Sequence, residues 1–392
     1  MSTSHSAIVI GAGALGLATA YWLAASGQKN VLVLEQFELG HEKGASEDHS
    51  RIIRHIYHRP EYTRLTRAAY DTWADVEQES GLQLVHKTGG VDLAEKGSPG
   101  EGELANYRRS LDSADIPYED LDADEIRSRW PQWNIEDHVE GLYQAEGGIL
   151  DIRRAGAAHL GLATGLGVEF RPNTKVTGIT STDTHVTVTT SDGAFKAESV
   201  VLCVASWLHE LAADLDLTFE LTYTQEQVNY FATPHLREFT PDRFPTWIYH
   251  GEHVLYGFPS YGEAAVKAAR DMGGRFITPE QRSYEPSRDE ADLIHGILEQ
   301  ILPRAAGPLL KAKTCVYDMP PDREFVLDHL PAHPRVVFAI GAGHAAKFAS
   351  LLGKIAAELV TERKSSYDID YFRIDRPALT DAEFPATFRL RG

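Results

Sequence analysis

Ala7-Ile-Val-Ile-Gly11-Ala-Gly13-Ala14-Leu15-Gly16-Leu-Ala-Thr-Ala20, followed by Val31-Leu-Val-Leu-Glu35, is the stretch from which the rest of the chain can be read. An apolar strand, a glycine turn, a small-residue helix and a second apolar strand make a βαβ unit of dinucleotide-binding type. Gly11 permits the tight turn, Gly13 lets the backbone approach a pyrophosphate, and Gly16 lets helix and strand pack closely. The N–H groups opening the helix at Ala14 and Leu15, with the positive end of its dipole, face the phosphates. Glu35 lies 19 residues after Gly16, where a carboxylate accepts hydrogen bonds from an adenosine ribose. A lone GxGxxG is weak evidence, because glycine turns are common; the flanking strands, the helical period of Ala18, Ala20 and Leu23, and Glu35 make it specific.

Ala7 to Ala25 holds no charged residue and could be mistaken for a signal peptide or anchor. It lacks a basic leader, and its glycines sit where a turn needs them. The expectation is a cytoplasmic monomer with no membrane or nucleic-acid partner. A net charge of −19, from 38 basic and 57 acidic residues, opposes binding to polyanions. Only two cysteines are present, so no disulfide framework is implied. Cys203, in the apolar run Val200-Val-Leu-Cys-Val, reads as a buried small hydrophobe; Cys315 sits among polar and aromatic residues.

Working outward, Arg64–Ser80 has the period of a helix, with Leu65, Ala69, Trp73 and Val76 inward. In 147–207 the pattern predicts a helix over Arg154–Leu166, a strand at Val168–Phe170, a hairpin from Thr174–Ile179 with Val186–Thr189, and a buried strand Val200–Val204. Val176 falls in that hairpin, on the cofactor side. Val336–Ile340, the turn Gly341-Ala-Gly343-His344 and a helix through Leu352, Ile355 and Leu359 repeat the strand–turn–helix device of the N-terminus. A second helix N-terminus aimed at a cofactor suits a flavin, which gains negative charge at N1 and O2 when reduced, better than a nicotinamide. The aromatic-rich stretches between alternate like antiparallel strands. The expected class is therefore α/β (α+β). It combines a Rossmann-type FAD-binding domain of glutathione reductase type, discontinuous over 1–85, 146–215 and 322–392, with a substrate domain over 86–145 and 216–321 on a mostly antiparallel sheet.

Five separated motifs then occur in order: the N-terminal fingerprint, His49-Ser50-Arg51-Ile-Ile-Arg54-His55, Tyr256-Gly-Phe-Pro-Ser with Lys267, Cys315-Val-Tyr317, and Gly341-Ala-Gly343-His344-Ala-Ala-Lys347-Phe. Over nearly its whole length the chain resembles the monomeric sarcosine oxidases and N-methyltryptophan oxidases, within the D-amino-acid-oxidase-like flavoenzymes. The resemblance implies FAD, joined through its flavin methyl group to the sulfur of Cys315. It implies Ser50 and Arg51 beside the isoalloxazine and pyrophosphate, and Arg54 and Lys347 on the substrate carboxylate. Lys267 falls on the opposite flavin face, where O2 is activated, and Tyr256 and Tyr317 line the substrate cavity. Either tyrosine could equally be a core aromatic. The activity implied is oxidation of a secondary-amine α-amino acid to an imine, with O2 reduced to H2O2; the alternatives are a flavin amine dehydrogenase and a desaturating tailoring enzyme acting on a heterocyclic amine. Asp271 departs from the pattern, standing where sarcosine-oxidising members carry histidine. Facing the cavity, it could pair with a substrate cation.

Overall fold

The computed structural model describes residues 4–46, 48–217, 219 and 221–386; the outermost ends of the expected FAD-binding segments, 1–3 and 387–392, lie outside the described residues. The strand Ser4–Ile10 (β1), the helix Ala14–Ala25 (α1) and the strand Val31–Leu34 (β2) form the expected βαβ unit, with β1 and β2 parallel in the register Ile8↔Leu32 and Ile10↔Leu34. All four residues of β2 are buried, as befits a parallel strand covered on both faces.

These strands belong to an eight-stranded sheet. Its order runs Val176–Ser181, Val186–Thr190, Gly193–Leu202, β1, β2, Glu169–Arg171, with His333–Ile340 also pairing to Gly193–Leu202 and Val326–Leu330 pairing to His333–Ile340. α1 packs between the helices Ile152–Gly165 and Ala349–Glu362. A Cβ on Gly353 would meet the Ala18 backbone at 2.6 Å, so glycine there sets how closely the last helix approaches α1. The second sheet has nine strands drawn from 90–144 and 222–319 and is mostly antiparallel. One pair departs: Gly90–Glu95 and Thr246–His250 run parallel. Ser50–Ile53, Gly148–Asp151 and Val85–Lys87 make a small third sheet.

Several boundaries differ from the sequence expectation for local reasons. The helix expected from Arg64 starts at Pro60, whose fixed φ and missing N–H suit a first helical position. The strand expected at Val200–Val204 is ten residues long, Gly193–Leu202, because its first half pairs antiparallel with Val186–Thr190 and its second half parallel with β1; Cys203 and Val204 follow it. The stretch 86–145 also holds two helices, Pro99–Asp112 and Ala123–Arg129, the second opened by a reciprocal cap between Asp122 and Glu125. A 3-10 turn, Ala345–Phe348, stands between the Gly341 turn and the last long helix. Trp73, fully buried, donates from its indole N–H to the Lys347 carbonyl at 2.7 Å and so ties that turn to the helix Pro60–Ser80.

Candidate active site

One cavity of about 1290 Å³ runs from the Gly11 turn past Glu35 to Cys315, Tyr256, Lys267 and Lys347. Pockets for a single small ligand run to about 300–1,000 Å³, so this space exceeds what one such molecule needs. Of the residues singled out in the sequence, Gly11, Gly13, Ala14, Leu15, Glu35, Ser50, Arg51, Arg54, Val176, Tyr256, Lys267, Asp271, Cys315, Tyr317, Gly341, Gly343, His344 and Lys347 all line it. Gly16 does not; it packs behind the turn, where a Cβ would meet the Gly11 carbonyl oxygen at 1.8 Å. Gly11 itself has φ +96°, and a Cβ there would sit 2.4 Å from the Cys203 carbonyl oxygen.

At the N-terminal end, Glu35 accepts the Ala12 N–H at 2.8 Å and the Phe37 N–H at 3.0 Å, with His41 Nε2 at 3.4 Å. Burial alone would raise its carboxyl; His41 and the two amides outweigh that and hold it below the usual range. α1 opens at Gly13, which has no side chain to cap it; the Ala14 N–H, expected to face the phosphates, donates to the Ser46 hydroxyl at 2.8 Å, and Gly13, Ala14 and Leu15 line the cavity.

At the other end, cations are arranged mostly in buried pairs. Lys267 is 2 % exposed and forms a 2.6 Å ion pair with Asp48. Arg54 pairs with buried Asp92, which also lies 3.5 Å from His250 Nε2. Asp271 is not free for a substrate cation, because Arg323 holds it through two hydrogen bonds of 2.9 and 3.3 Å. Lys347 differs: it donates to the Tyr57 hydroxyl at 2.8 Å and the His344 carbonyl at 3.4 Å, and no carboxylate pairs with it among the described residues. Burial, then Arg54, lower its pKa to about 7, with Asp271 opposing. Arg51 donates to the carbonyls of Ser50 and Ala45. Arg270 is bound to Glu290 and its side chain is only 10 % exposed.

The Gly341 turn is a constrained device. Ala342 and Gly343 both have positive φ, and a Cβ on Gly343 would meet the Tyr317 ring at 2.6 Å. Behind it lies Asp318, which accepts the Gly343 N–H and whose carboxyl burial pushes up to about 7. His344 stacks on Phe325 at 4.7 Å and its Nε2 lies 3.0 Å from the Arg323 carbonyl, so this nitrogen is the donor. Its Nδ1 is buried without a partner, and burial lowers the ring's pKa to about 3, keeping it neutral. Burial raises the Tyr256 and Tyr317 hydroxyls, so both stay protonated. Cys315 is partly buried, its thiol pushed up to about 12 by burial although Arg51 and Lys267 draw it down. Cys203 is 9 % exposed and likewise raised to about 12, an inert thiol under the first turn.

The family model for FAD-dependent oxidoreductases matches residues 6–359. The chain belongs to this family. Among relatives, a monomeric sarcosine oxidase of Streptomyces avermitilis is 34 % identical, covering 97 % of this chain and all of its own length. An N-methyl-L-tryptophan oxidase of Yersinia pestis is 30 % identical over 94 % of this chain and 98 % of its own. Among solved structures, the open form of NikD, an unusual amino acid oxidase essential for nikkomycin biosynthesis, superposes with a TM-score of 0.84 at 27 % identity, covering 95 % of this chain and 98 % of that one.

The site of this oxidoreductase fits FAD. The turn accepts only glycine at Gly11 and Gly16, where an added methyl would strike the Cys203 and Gly11 carbonyl oxygens; the Glu35 carboxylate lines the cavity beside that turn; and His344 Nδ1, without a hydrogen-bond partner among the described residues, gives the far end an unmet hydrogen-bonding atom. Among the described residues no cluster of three or more His, Cys, Asp or Glu side chains suits a metal ion, and no helix is long and apolar enough to cross a membrane.

Sequence reasoning missed Asp48, Asp92 and Arg323. Asp92 had a signal, since it is the single charged residue in Gly90-Val-Asp-Leu-Ala94, and a lone carboxylate in an apolar strand implies a buried partner. Nothing in the pattern around Arg323 indicates its role.

Proposed function

We propose that this oxidoreductase oxidises a secondary-amine α-amino acid, an N-methylamino acid or a cyclic imino acid, to the imine, and passes the two electrons to O2. The observation that carries the reading is Lys347, a half-buried lysine with no carboxylate partner among the described residues, in the same cavity as Arg54. Such a cation calls for an anion from outside the chain. The relatives' names supply the class of molecule that brings one. FAD, when bound, supplies the acceptor for the two electrons.

In this reading the eight-stranded sheet and its helices hold FAD, and the nine-stranded sheet covers the substrate. Gly11, Gly13 and the start of α1 receive the pyrophosphate, Glu35 the ribose, and the 341–344 turn the flavin end, with Cys315 as the covalent attachment point. Arg54, its fork fixed by Asp92, and Lys347 take the substrate carboxylate between them. Tyr256 and Tyr317, held protonated, present hydroxyl donors and exclude water. The substrate amine binds neutral, so its lone pair assists loss of the C–H hydrogen as hydride. A hydride and the N–H proton leave the substrate; water hydrolyses the imine to amine and aldehyde unless it is cyclic. Lys267 gives O2 a fixed positive charge as it takes up two electrons and two protons to become H2O2.

A peroxide screen over sarcosine, other N-methylamino acids, proline and pipecolate tests the proposal. Peroxide formed in proportion to amine consumed is expected. Oxidation that proceeds only with an artificial electron acceptor would favour the dehydrogenase instead. Turnover confined to cyclic substrates would narrow the proposal to cyclic imino acids.

A further inference from the structure

Asp48 has φ +78°, a left-handed conformation uncommon in non-glycine residues. Its carboxylate is 5 % exposed and is met from two sides: the Tyr230 hydroxyl lies 2.7 Å from each oxygen, and Lys267 Nζ lies 2.6 Å from Oδ2. The remaining two protons of the Lys267 ammonium go to the Ser50 carbonyl at 3.0 Å and the Ser50 hydroxyl at 3.1 Å. Three acceptors therefore account for three N–H bonds, and the geometry suits an ammonium rather than an amine.

We propose that Asp48 is the positioning residue for Lys267, fixing its ammonium in place and keeping it charged, so that Asp48 sets the pH range over which the reduced enzyme reacts with O2. This rests on the reading of Lys267 given above.

The surroundings show why a partner is needed. Lys267 faces the Phe258 ring at 4.5 Å and the Tyr230 ring at 5.8 Å, neither of which replaces water around a charge. Of the other groups near the pair, Arg51 is a second cation, while Cys315 carries no charge, either as a thiol raised by burial or when attached to the cofactor. His49, its Nδ1 3.8 Å from Asp48, is lowered by burial and so is neutral at physiological pH. Glu263 lies beyond His49 and is engaged by Lys311. Asp48 is thus the carboxylate that answers both Lys267 and Arg51. Burial and Arg51 lower Lys267, Asp48 raises it, and the balance stands at about 8. One opposite charge at this distance shifts a pKa by about 1–3 units. Without Asp48 the lysine loses its proton below neutral pH, and its charge is gone when O2 arrives.

The test mixes anaerobically reduced holoenzyme with O2 from about pH 5 to about pH 10. Wild type should react at a plateau rate below about pH 8 and more slowly above it. Asp48→Asn should move that falling limb down by about 1–3 pH units. Asp48→Gly suits the left-handed backbone, so it keeps the test available where the asparagine variant folds poorly, and it should show the same shift. Asp48→Glu should stay near wild type. A second readout, the pH titration of the oxidised flavin's visible absorbance, should show the same displaced transition without turnover. A limb unmoved in Asp48→Asn and Asp48→Gly overturns the inference, even where both react uniformly more slowly. Lys267→Met separates the two readings: it should be slow at every pH, and unchanged oxygen reactivity there would remove the oxygen-side role of Lys267 itself.

Discussion

Replacing Asp92 by asparagine keeps the side chain's shape and removes its charge. In the folded chain Asp92 is 2 % exposed, Arg54 opposite it has a side chain 13 % exposed, and His250 touches the same carboxylate oxygen. Removing one partner of a buried pair costs about 3–5 kcal/mol, because the surviving charge is left without compensation. At about 1.2 °C per kcal/mol for a chain of this size, the holoenzyme's melting midpoint should fall by about 4–6 °C. The pH dependence fixes the interpretation. Burial would raise the Asp92 carboxyl, but Arg54 and His250 hold it below its usual value. A depressed carboxyl stabilises fully above its unfolded pKa of about 3.9, and the contribution is lost as pH falls through the lower folded value. The gap between wild type and variant should therefore stay constant through the neutral range and close only in acid.

The same substitution leaves Arg54 seeking an anion in the cavity that the substrate carboxylate is proposed to enter. Acetate should thus raise the variant's melting midpoint more than wild type's at equal concentration. At a hundred times its dissociation constant, a ligand adds about 2.7 kcal/mol, enough to recover at least half of the loss. Differential scanning calorimetry with and without acetate makes the comparison. A variant that melts within about 1 °C of wild type, or one that acetate stabilises no better than wild type, would refute the reasoning.

Two further outcomes are expected. Lys347 titrates at about 7 in the free protein, well below an ordinary lysine, so its charge is complete below that pH and lost above it; acetate affinity, followed by flavin absorbance, should weaken as pH rises through 7, and Lys347→Met should abolish that dependence. Cys315→Ala should release FAD into the supernatant on acid precipitation whereas wild type keeps it in the pellet, and because the thiol titrates near 12, attachment during reconstitution of the apoprotein should quicken with rising pH.

The features legible in the sequence were those that answer to nearby sterics. Gly11 and Gly16 are required by backbone contacts within the turn and the strand beside it, and Glu35 by a fixed offset along one βαβ unit. Boundaries slipped where distant partners decide them, as in Gly193–Leu202, whose two halves pair with different strands. The charge pairs were the hardest to read, because their members are far apart in the chain: Arg54 and Asp92 by 38 residues, Arg323 and Asp271 by 52, Lys267 and its Ser50 acceptors by 217. Packing between sheets and loops brings them together, as where Ser50 of the small sheet meets Lys267 of the nine-stranded one, and no local pattern records it. The consequence was largest at Asp271, an apparent free anion in the sequence and half of an ion pair in the fold.

That pair bears on which form of the amine the cavity accepts. A protein of net charge −19 must still present positive charge to a carboxylate substrate and to an anionic cofactor. Lys267, Arg54 and Arg323 are neutralised by Asp48, Asp92 and Asp271, whereas Lys347 has no carboxylate partner among the described residues. A substrate ammonium seeking Asp271 would have to displace Arg323, whose two hydrogen bonds fit the carboxylate better than a single point charge does. It would meanwhile approach Lys347, Arg54 and Arg51 without compensation. A neutral amine pays neither penalty and keeps the lone pair that loss of hydride requires. On the proposed reading the arrangement of charge therefore selects the deprotonated substrate before any chemistry begins, and Asp271 holds Arg323 rather than meeting the amine.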